Sequence, residues 1–398
     1  MTERLYYRDC FLREFEARVV RVGSGEGGRA EVVLDRTAFY PTSGGQPHDL
    51  GTLDDLPVEE VRESDGGDIV HVLERAPANE KVRGRIDWGR RFDHMQQHTG
   101  QHLLSAAFVR LFHLPTVSFH LGREICTLDL ETRSLGSRQL QAAEELTNQV
   151  VFEDRPVHIR FAEPGQAEKE GTRRAVEREG ELRLIEIEDF DCCPCGGTHV
   201  ARTGQVGLVL LRGVEKLKQQ ARVEFVCGGR ALRAARADHR SLQEAARLLT
   251  TGPEELPNVL RKQMEERRAG EKARSRLLER LAEHEARTLV GEARPVGERR
   301  LLVKVLPEAD ASYLRLLASR LVREAGVQVL LANQGTPAAV VFAQSAGLDA
   351  DMNALLRETL AKVGGKGGGG RDFAQGSAPD GARLAEVLAE VAGRLDRA

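Results

Sequence analysis

The chain has few cysteines, no long apolar run and almost no net charge. Its longest apolar runs, such as Val206 to Leu211, are far shorter than the roughly 20 residues of a transmembrane helix. The first twelve residues lack the basic start and long apolar core of a signal peptide. We therefore expect a cytoplasmic protein without a membrane partner.

Six cysteines in 398 residues are too few for a secreted disulfide scaffold. Three of them, Cys192, Cys193 and Cys195, lie together, which favours metal or reactive chemistry in a reducing compartment. The net charge of -3 gives no reason by itself to expect a polyanionic partner. Between Leu211 and Arg240, however, eight basic residues accompany three acidic ones. That stretch is either a contact for RNA phosphates or a solvated face.

Two short motifs carry metal-binding side chains. From Arg91 onward the apolar spacing predicts a helix, on which His98 and His102 lie one turn apart on the same face. An HxxxH pair alone is often incidental, and the glutamate of the HExxH proteases is absent. Cys195 and His199 also have three residues between them, including two glycines that allow a bent loop.

The two pairs together predict one tetrahedral zinc site with four protein ligands. Cys192 is an alternative ligand to Cys195, because both lie in the same short segment. Cys192 and Cys195 also form a C-x-x-C sequence, so a redox pair is a further reading.

The pattern of short strands and helices predicts an α+β multidomain chain with a small N-terminal β-barrel and a small C-terminal α/β domain. The predicted domains are a barrel at 1–90, a zinc-containing α+β domain at 91–238, a helical arm or coiled-coil spacer at 239–297 and an α/β domain at 298–398.

Two glycine-rich segments stand out. Residues 39–47, FYPTSGGQP, favour a tight turn or a close backbone approach, although an ordinary hairpin fits as well. Residues 364–376, GGKGGGGRDFAQG, offer free backbone amides together with Lys366 and Arg371, as in a phosphate cradle. A flexible linker is the alternative, because the Lys-Ser/Thr ending of a P-loop is absent.

The combination of FYPTSGGQP, QQHTGQHLL, CGGTHV and RVEFVCG resembles the editing domain of alanyl-tRNA synthetases and their free-standing AlaX relatives. The second glycine-rich segment resembles the C-terminal domain that these synthetases share with DHH-type phosphoesterases. The order of motifs, beginning at the barrel, is similar to the long form of AlaX.

The resemblance implies hydrolysis of the ester that joins serine or glycine to tRNA(Ala). A pocket built for alanine cannot strongly reject glycine or serine, so a second site must remove the wrong product. It also implies one Zn²⁺ per chain and a homodimer formed through the arm or the C-terminal domain.

The resemblance further assigns roles to individual residues. The zinc ligands are His98, His102, Cys195 and His199. The catalytic candidates are Thr37, Gln46 and His120, and the substrate-binding candidates are Gly44, Gly45, Gln101 and Phe119. Gln101 stands where the synthetases often have threonine, so any selectivity of that threonine need not transfer. The tRNA-binding candidates are Lys216, Lys218, Arg222, Lys366 and Arg371.

Two roles for the zinc remain open: it activates a water, or it anchors the terminal adenosine and amino acid while other groups position the water. Four protein ligands leave no open coordination position, which is unusual for water activation. The competing functions are an RNA-binding protein with a structural zinc and a metallohydrolase for a small ester.

Overall fold

The computed structural model describes residues 1–163, 172–173, 181–379 and 381–397. It separates into two compact units, Met1–Ala245 and Ala246–Ala398. None of the helices in these residues combines the length and apolarity that crossing a membrane requires. The described helices are α1 (Trp88–Phe112), α2 (Ser137–Phe152), α3 (Gly228–Leu248), α4 (Leu256–Glu292), α5 (Ala311–Leu321), α6 (Met352–Lys362) and α7 (Leu384–Leu395).

A closed six-stranded barrel occupies the N-terminal part of the first unit, as predicted. Two short strands, β1 (Glu3–Arg4) and β4 (Arg36–Thr37), pair beside it. The barrel strands, joined in the order β2-β3-β7-β6-β5-β8, are β2 (Glu14–Ser24), β3 (Ala30–Leu34), β5 (Gly51–Leu53), β6 (Leu56–Glu63), β7 (Ile69–Leu73) and β8 (Lys81–Ile86). Alternating side chains such as Val32 and Leu34 fill its interior.

Two antiparallel sheets follow the barrel in the same unit. The first has the order β14-β15-β10-β9, and the second has the order β11-β12-β13. Their strands are β9 (Thr116–Leu121), β10 (Cys126–Leu130), β11 (Val157–Ala162), β12 (Leu182–Ile187), β13 (Asp191–Pro194), β14 (Val209–Lys216) and β15 (Ala221–Cys227). The buried face of α1, including Leu103 and Phe108, shares one apolar core with Leu128 and Phe225 of the first sheet.

Helix α1 is fixed at its N-terminal end to the barrel. The side chain of Asp87 accepts a hydrogen bond from the backbone N–H of Arg90 and caps the helix. One turn in, the fully buried Arg91 pairs with the fully buried Asp49 and donates to the carbonyls of Cys10 and Ala38 at 2.9 and 2.5 Å. These bonds hold the helix in register with the barrel loop.

The second unit is built on a six-stranded mixed sheet in the order β16-β17-β18-β19-β21-β20. Its strands are β16 (Arg294–Val296), β17 (Arg299–Val305), β18 (Val327–Ala332), β19 (Ala338–Gln344), β20 (Lys366–Gly369) and β21 (Phe373–Ala378). Ala282, Ala286 and Leu289 of α4 belong to one of its cores, together with Leu314 of α5. The last turns of the predicted arm are therefore part of this core.

The glycine-rich segment 364–376 forms an edge hairpin of β20 and β21, and neither a loop cradle nor a linker. A side chain at position 367 would lie 2.7 Å from Leu360 of α6 and 2.7 Å from the Cα of Gly376. Because the two strands and the helix approach so closely, this position has no room for a Cβ. The hydrogen bonds between β20 and β21 also use backbone amides that a phosphate cradle would need.

Candidate metal centre and active-site cleft

The structure brings together the four predicted metal-binding side chains. Donor atoms of His98, His102, Cys195 and His199 all lie within 4.8 Å of one another. Cys195 Sγ is 3.4 Å from His98 Nε2 and 3.3 Å from His199 Nε2. Donors held tetrahedrally at zinc bond lengths would be roughly 3.5 Å apart. The two distances from Cys195 match this value, so the arrangement of the donors fits one Zn²⁺.

The other ring nitrogen of each histidine faces a polar group, which is within hydrogen-bond distance for His98 and His199 and makes only an ion-pair contact with His102. Gln46 Oε1 is 2.8 Å from His98 Nδ1, and Thr99 Oγ1 is 3.1 Å from His199 Nδ1. Asp191 Oδ2 makes an ion-pair contact of 3.3 Å with His102 Nδ1. These partners leave the Nε2 atoms for the ion, which is the arrangement that orients and tunes metal ligands in proteins.

One arginine, Arg183, holds the backbone of the loop that carries Cys195 and His199. Arg183 of β12 donates to the carbonyl oxygens of Cys195 at 2.6 Å and Gly197 at 2.9 Å, and to that of Tyr7 at 3.0 Å. Gly197 passes so close to the cluster that a Cβ would lie 2.2 Å from His98 Cε1. The second glycine of the CGGTH motif is therefore required by the ring of a metal ligand.

Charges in the cluster favour the anionic form of the cysteine. Burial would raise the pKa of the Cys195 thiol, but the neighbouring His98 and His199 bring that pKa well below its ordinary value. Burial lowers the pKa of His199 to about 3, so this ring is neutral at pH 7. A thiolate and neutral imidazoles are the forms that bind zinc.

A cleft of ≈ 410 Å³ opens beside the cluster. It is lined by Gly44, His98, Gln101, His102, Thr116, Val117, Ser118, Phe119, Arg173, Cys193, Pro194, Cys195 and Gly196. The ring of Phe119 lies 5.3 Å from that of His98, between centroids. Gln101 Nε2 donates to Ser105 Oγ at 2.7 Å, and Thr116 Oγ1 also contacts Ser105 Oγ at 2.7 Å. The cleft thus combines an aromatic face with a small polar network.

All four predicted substrate-binding residues lie in the lining of this cleft or next to it. Gly44, Gln101 and Phe119 line it directly. The carbonyl of Gly45 accepts a hydrogen bond of 3.0 Å from Leu121 N, which fixes the glycine-rich loop against β9.

The three catalytic candidates lie in three different settings. Gln46 is fully buried and orients His98, while its Nε2 donates to Thr198 Oγ1 at 2.9 Å. Thr37 lies in the barrel, where its hydroxyl is 2.8 Å from His71 Nε2. His120 follows Phe119 on β9 and is exposed on the alternate side of the strand. Neither Thr37 nor His120 lines the cleft, since one is enclosed by the barrel core and the other points away from Phe119.

The predicted tRNA-binding residues form two groups. Lys216, Lys218 and Lys366 are exposed. Arg222 instead pairs with the buried Asp129 through two hydrogen bonds of 2.8 and 2.9 Å, so part of its charge is already neutralised. Arg371 donates to the carbonyl of Asp349 at 2.9 Å.

Two residues of the centre were not predicted. Thr99 directly follows a ligand, and Asp191 lies four residues before Cys195 and is itself paired with Arg173 at 2.7 Å. An acid or hydroxyl close in sequence to a metal ligand is the signal that could have indicated them. Cys192, the alternative ligand, packs instead with Ala162, Leu182 and Leu184.

Comparison with known sequences identifies two families in the chain. Residues 182–224 match the family described as the threonyl and alanyl tRNA synthetase second additional domain. Residues 298–396 match the DHHA1 domain. The first match includes the ligand Cys195 and the loop-holding Arg183.

Similar proteins cover nearly the whole chain. The alanyl-tRNA editing protein AlaX-L of Pyrococcus horikoshii is 32% identical over 94% of this chain and 94% of its own length. The alanyl-tRNA editing protein Aarsd1 of Rattus norvegicus is 31% identical over 97% of this chain and 96% of its own length. The alanine–tRNA ligase of Pyrococcus abyssi is 33% identical over 98% of this chain, which spans only 43% of that ligase. The chain belongs to the family of alanyl-tRNA editing proteins.

Proposed function

We propose that the protein is a trans-editing hydrolase that deacylates tRNA(Ala) mischarged with serine, and also with glycine, by hydrolysing the aminoacyl ester. The observation that carries the proposal is the cleft whose wall is formed by three of the four clustered donors, His98, His102 and Cys195. A metal centre that faces a small polar cleft can contact a bound ester directly. Its tRNA substrates place the reaction in the cytoplasm.

The proposed cofactor is one Zn²⁺, held by His98, His102, Cys195 and His199. When bound, it supplies a positive charge that can polarise or anchor an oxygen of the ester end of the substrate. With four protein donors the coordination is complete, so we expect the ion to act on the substrate through its charge rather than by generating a zinc-bound hydroxide. Gln46, Thr99 and Asp191 then act as positioning residues, because each orients one ligand ring.

Side chains of the cleft would recognise the two ends of the ester. The half-buried ring of Phe119 lines the cleft and offers an apolar surface on which the terminal adenine can stack. Gln101 uses its Nε2 for Ser105, which leaves Oε1 to accept a hydrogen bond from the hydroxyl of a bound seryl group. An aminoacyl ester is already activated, so holding it beside a water and the hydroxyl groups of the tRNA supplies much of the catalysis.

Deacylation assays with Ser-tRNA(Ala), Gly-tRNA(Ala) and Ala-tRNA(Ala) test the proposal. We expect rapid loss of the first, loss of the second and survival of the third. A small aminoacyl ester, run as a control, should be stable. Tight tRNA binding without hydrolysis would favour the RNA-binding alternative, and turnover of the small ester without tRNA would favour the metallohydrolase alternative.

The metal's role is tested with Cys195→Ala, following zinc content and Ser-tRNA(Ala) hydrolysis together. We expect both to fall. Full activity in a zinc-free variant would rule out any role of the metal in hydrolysis.

We further propose that Lys216 and Lys218 contact the tRNA and that Lys366 and Arg371 contribute a second contact. Removing residues 296–398 should then weaken tRNA binding more than it slows hydrolysis at saturating substrate.

A homodimer through α4 is supported by its exposed Leu277 and Leu281, which are 63% and 45% exposed. Light scattering of the Leu277→Glu, Leu281→Glu double variant, compared with wild type, tests that association.

A further inference from the structure

A second cleft, of ≈ 440 Å³, lies in the first unit and has no part in the chemistry described above. We name it the arginine cleft after its lining. It is lined by Pro47, Gly89, Arg90, Asp93, His94, Gly122, Arg123, Arg230 and Arg233. Four arginines face one carboxylate, so the lining has an excess of three positive charges.

One of the four arginines serves to hold the wall of this cleft. Arg230 is 7% exposed, and it binds both oxygens of Asp93 and the carbonyl of Gly122 at 2.7 Å. This pair joins α3 to α1 and neutralises the only acid of the lining. The remaining charge therefore belongs to the other three arginines.

Arg90, Arg123 and Arg233 have no carboxylate partner within ion-pair distance in the described residues. The Nε of Arg90 donates to the carbonyl of His48 at 3.0 Å, which orients the guanidinium and leaves its two terminal nitrogens available. Three guanidinium groups around a concave surface, without acids to match them, form a site for an anion with several oxygens.

His94 gives an independent sign of an absent partner. Its side chain is only 3% exposed, it lines the cleft, and its Nδ1 has no hydrogen-bond partner in the described structure. Burial, and then the charge of Arg90, lower the pKa of His94 to about 4, so the ring is neutral at pH 7. A buried polar atom without a partner is costly.

The arginine cleft shares its framework with the metal cleft. His94 and His98 lie on successive turns of α1, roughly 6 Å apart along the helix axis. Pro47 of the arginine cleft directly follows Gln46, the partner of His98. Gly122 of the same cleft directly follows β9, whose residues line the metal cleft. The two clefts are therefore bordered by the same helix, loop and strand.

We propose that the arginine cleft binds a backbone phosphate of the tRNA close to its 3′ end, while the terminal ester occupies the metal cleft. The proposal rests on the proposed function for the identity of the RNA. The cleft sets the position of the strand and contributes affinity, and the hydrolytic step depends on the metal cleft alone.

The test uses the full chain with Arg123→Gln and Arg233→Gln combined, since both side chains are exposed and neither holds the fold. The matched control combines Arg75→Gln and Arg138→Gln, which removes the same charge from exposed positions outside the cleft. The probe is an RNA hairpin with the tRNA(Ala) acceptor stem and a single-stranded 3′ end. A second hairpin carries uncharged methylphosphonate linkages at the last three internucleotide positions.

We expect the cleft variant to bind the hairpin at least about 10-fold more weakly than wild type, because each charged hydrogen bond to phosphate is worth a factor of this size. The slope of log affinity against log salt should flatten by about 0.7, because one phosphate contact on a single strand is lost. The methylphosphonate hairpin should bind wild type more weakly but bind the cleft variant with no further loss, since the same contact is removed twice. The control variant should keep its sensitivity to methylphosphonate.

Two results would overturn the proposal. The first is equal, additive losses from the variant and from methylphosphonate, which would mean that the cleft meets no phosphate of that strand. The second is saturable binding of inorganic phosphate that the variant loses, together with unchanged RNA affinity, which would make the cleft a site for free phosphate. In single-turnover hydrolysis of Ser-tRNA(Ala), the cleft variant should need a higher protein concentration than wild type to reach half of its maximal rate. If wild type hydrolyses no mischarged tRNA, the proposed function fails, while the binding results still decide on the cleft.

Discussion

The two units of the protein differ in what they bury. Among the described residues, the buried charged side chains, including Asp49, Arg91, Arg183 and Asp191, belong to the unit 1–245. The buried polar residues of the second unit are all uncharged, such as Gln328, Asn333 and Gln344. A buried charge is tolerated only when a partner compensates for its lost hydration, so it makes structure depend on exact pairing. The first unit is therefore organised around chemistry and the second around packing.

The largest effect should come from breaking a buried ion pair in the first unit. Arg91→Met leaves Asp49 buried without its partner, which should cost about 3–5 kcal/mol of unfolding free energy. Denaturation followed by Trp88 fluorescence reports this unit, because Trp88 is the only tryptophan and begins α1. Hydrogen exchange in the second unit should not change. Arg91→Met combined with Asp49→Leu should recover much of the loss, and a single variant as stable as wild type would contradict the comparison.

A smaller effect on stability but a large effect on activity is expected at the metal loop. Gly197→Ala places a Cβ against His98, so zinc content should fall and deacylation should slow by about 100-fold, or about 2.7 kcal/mol. Gly196→Ala is the matched control, because the nearest atom to its Cβ would be Tyr7 Oη at 3.5 Å. Equal activity of the two variants would show that close approach to His98 is unimportant.

In the second unit, a glycine substitution should change stability alone. Gly367→Ala forces a methyl group between β21 and α6, and overpacking of this kind costs about 2 kcal/mol. Hydrogen exchange in residues 298–397 should increase while deacylation at saturating tRNA stays the same. Gly370→Ala, whose Cβ would meet only Phe373 O at 3.9 Å, is the control. A loss of hydrolysis equal to that of Gly197→Ala would remove the distinction between the units.

The smallest effect concerns an ion pair of the first unit, between the buried Asp129 and the partly exposed Arg222. Hydrogen bonds from Arg222 hold the pKa of Asp129 below its ordinary value. Its stabilising contribution is therefore present above about pH 4, the ordinary pKa of aspartate, and is lost as the pH falls through the lower pKa of the folded state. Asp129→Asn should cost about 1 kcal/mol at pH 7, because Arg222 is partly solvated. The difference from wild type should shrink below pH 4; a constant difference would assign the loss to packing.

The sequence predicted those parts of the molecule that depend on local spacing. The i, i+4 positions of His98 and His102 on α1 follow from helix geometry. The prediction that His98 and His102 form one site with Cys195 and His199 rested on donor chemistry and on the resemblance. The structure brings the two pairs together.

Contacts between distant segments were beyond such reasoning. Gln46 bonds a histidine 52 positions away, and Arg222 bonds an aspartate 93 positions away, so neither partner could be read from neighbouring residues. Thr37 received its catalytic role from the resemblance, and its contact with His71, 34 positions away, was equally hidden from the sequence. The glycines of residues 364–370 suggested backbone freedom, whereas Gly365 and Gly367 make room for Leu360 of α6 and Gly369 makes room for the backbone of β21.

Arg183 has a consequence for how the metal enters. Its bonds to the Cys195 and Gly197 carbonyls fix the ligand loop through groups that take no part in metal binding. The free energy of zinc binding is then not consumed in folding the loop, in contrast to a zinc finger, whose fold depends on its ion. For the proposed Zn²⁺, we therefore expect that a chelator withdraws the ion and that added zinc restores it without a refolding cycle.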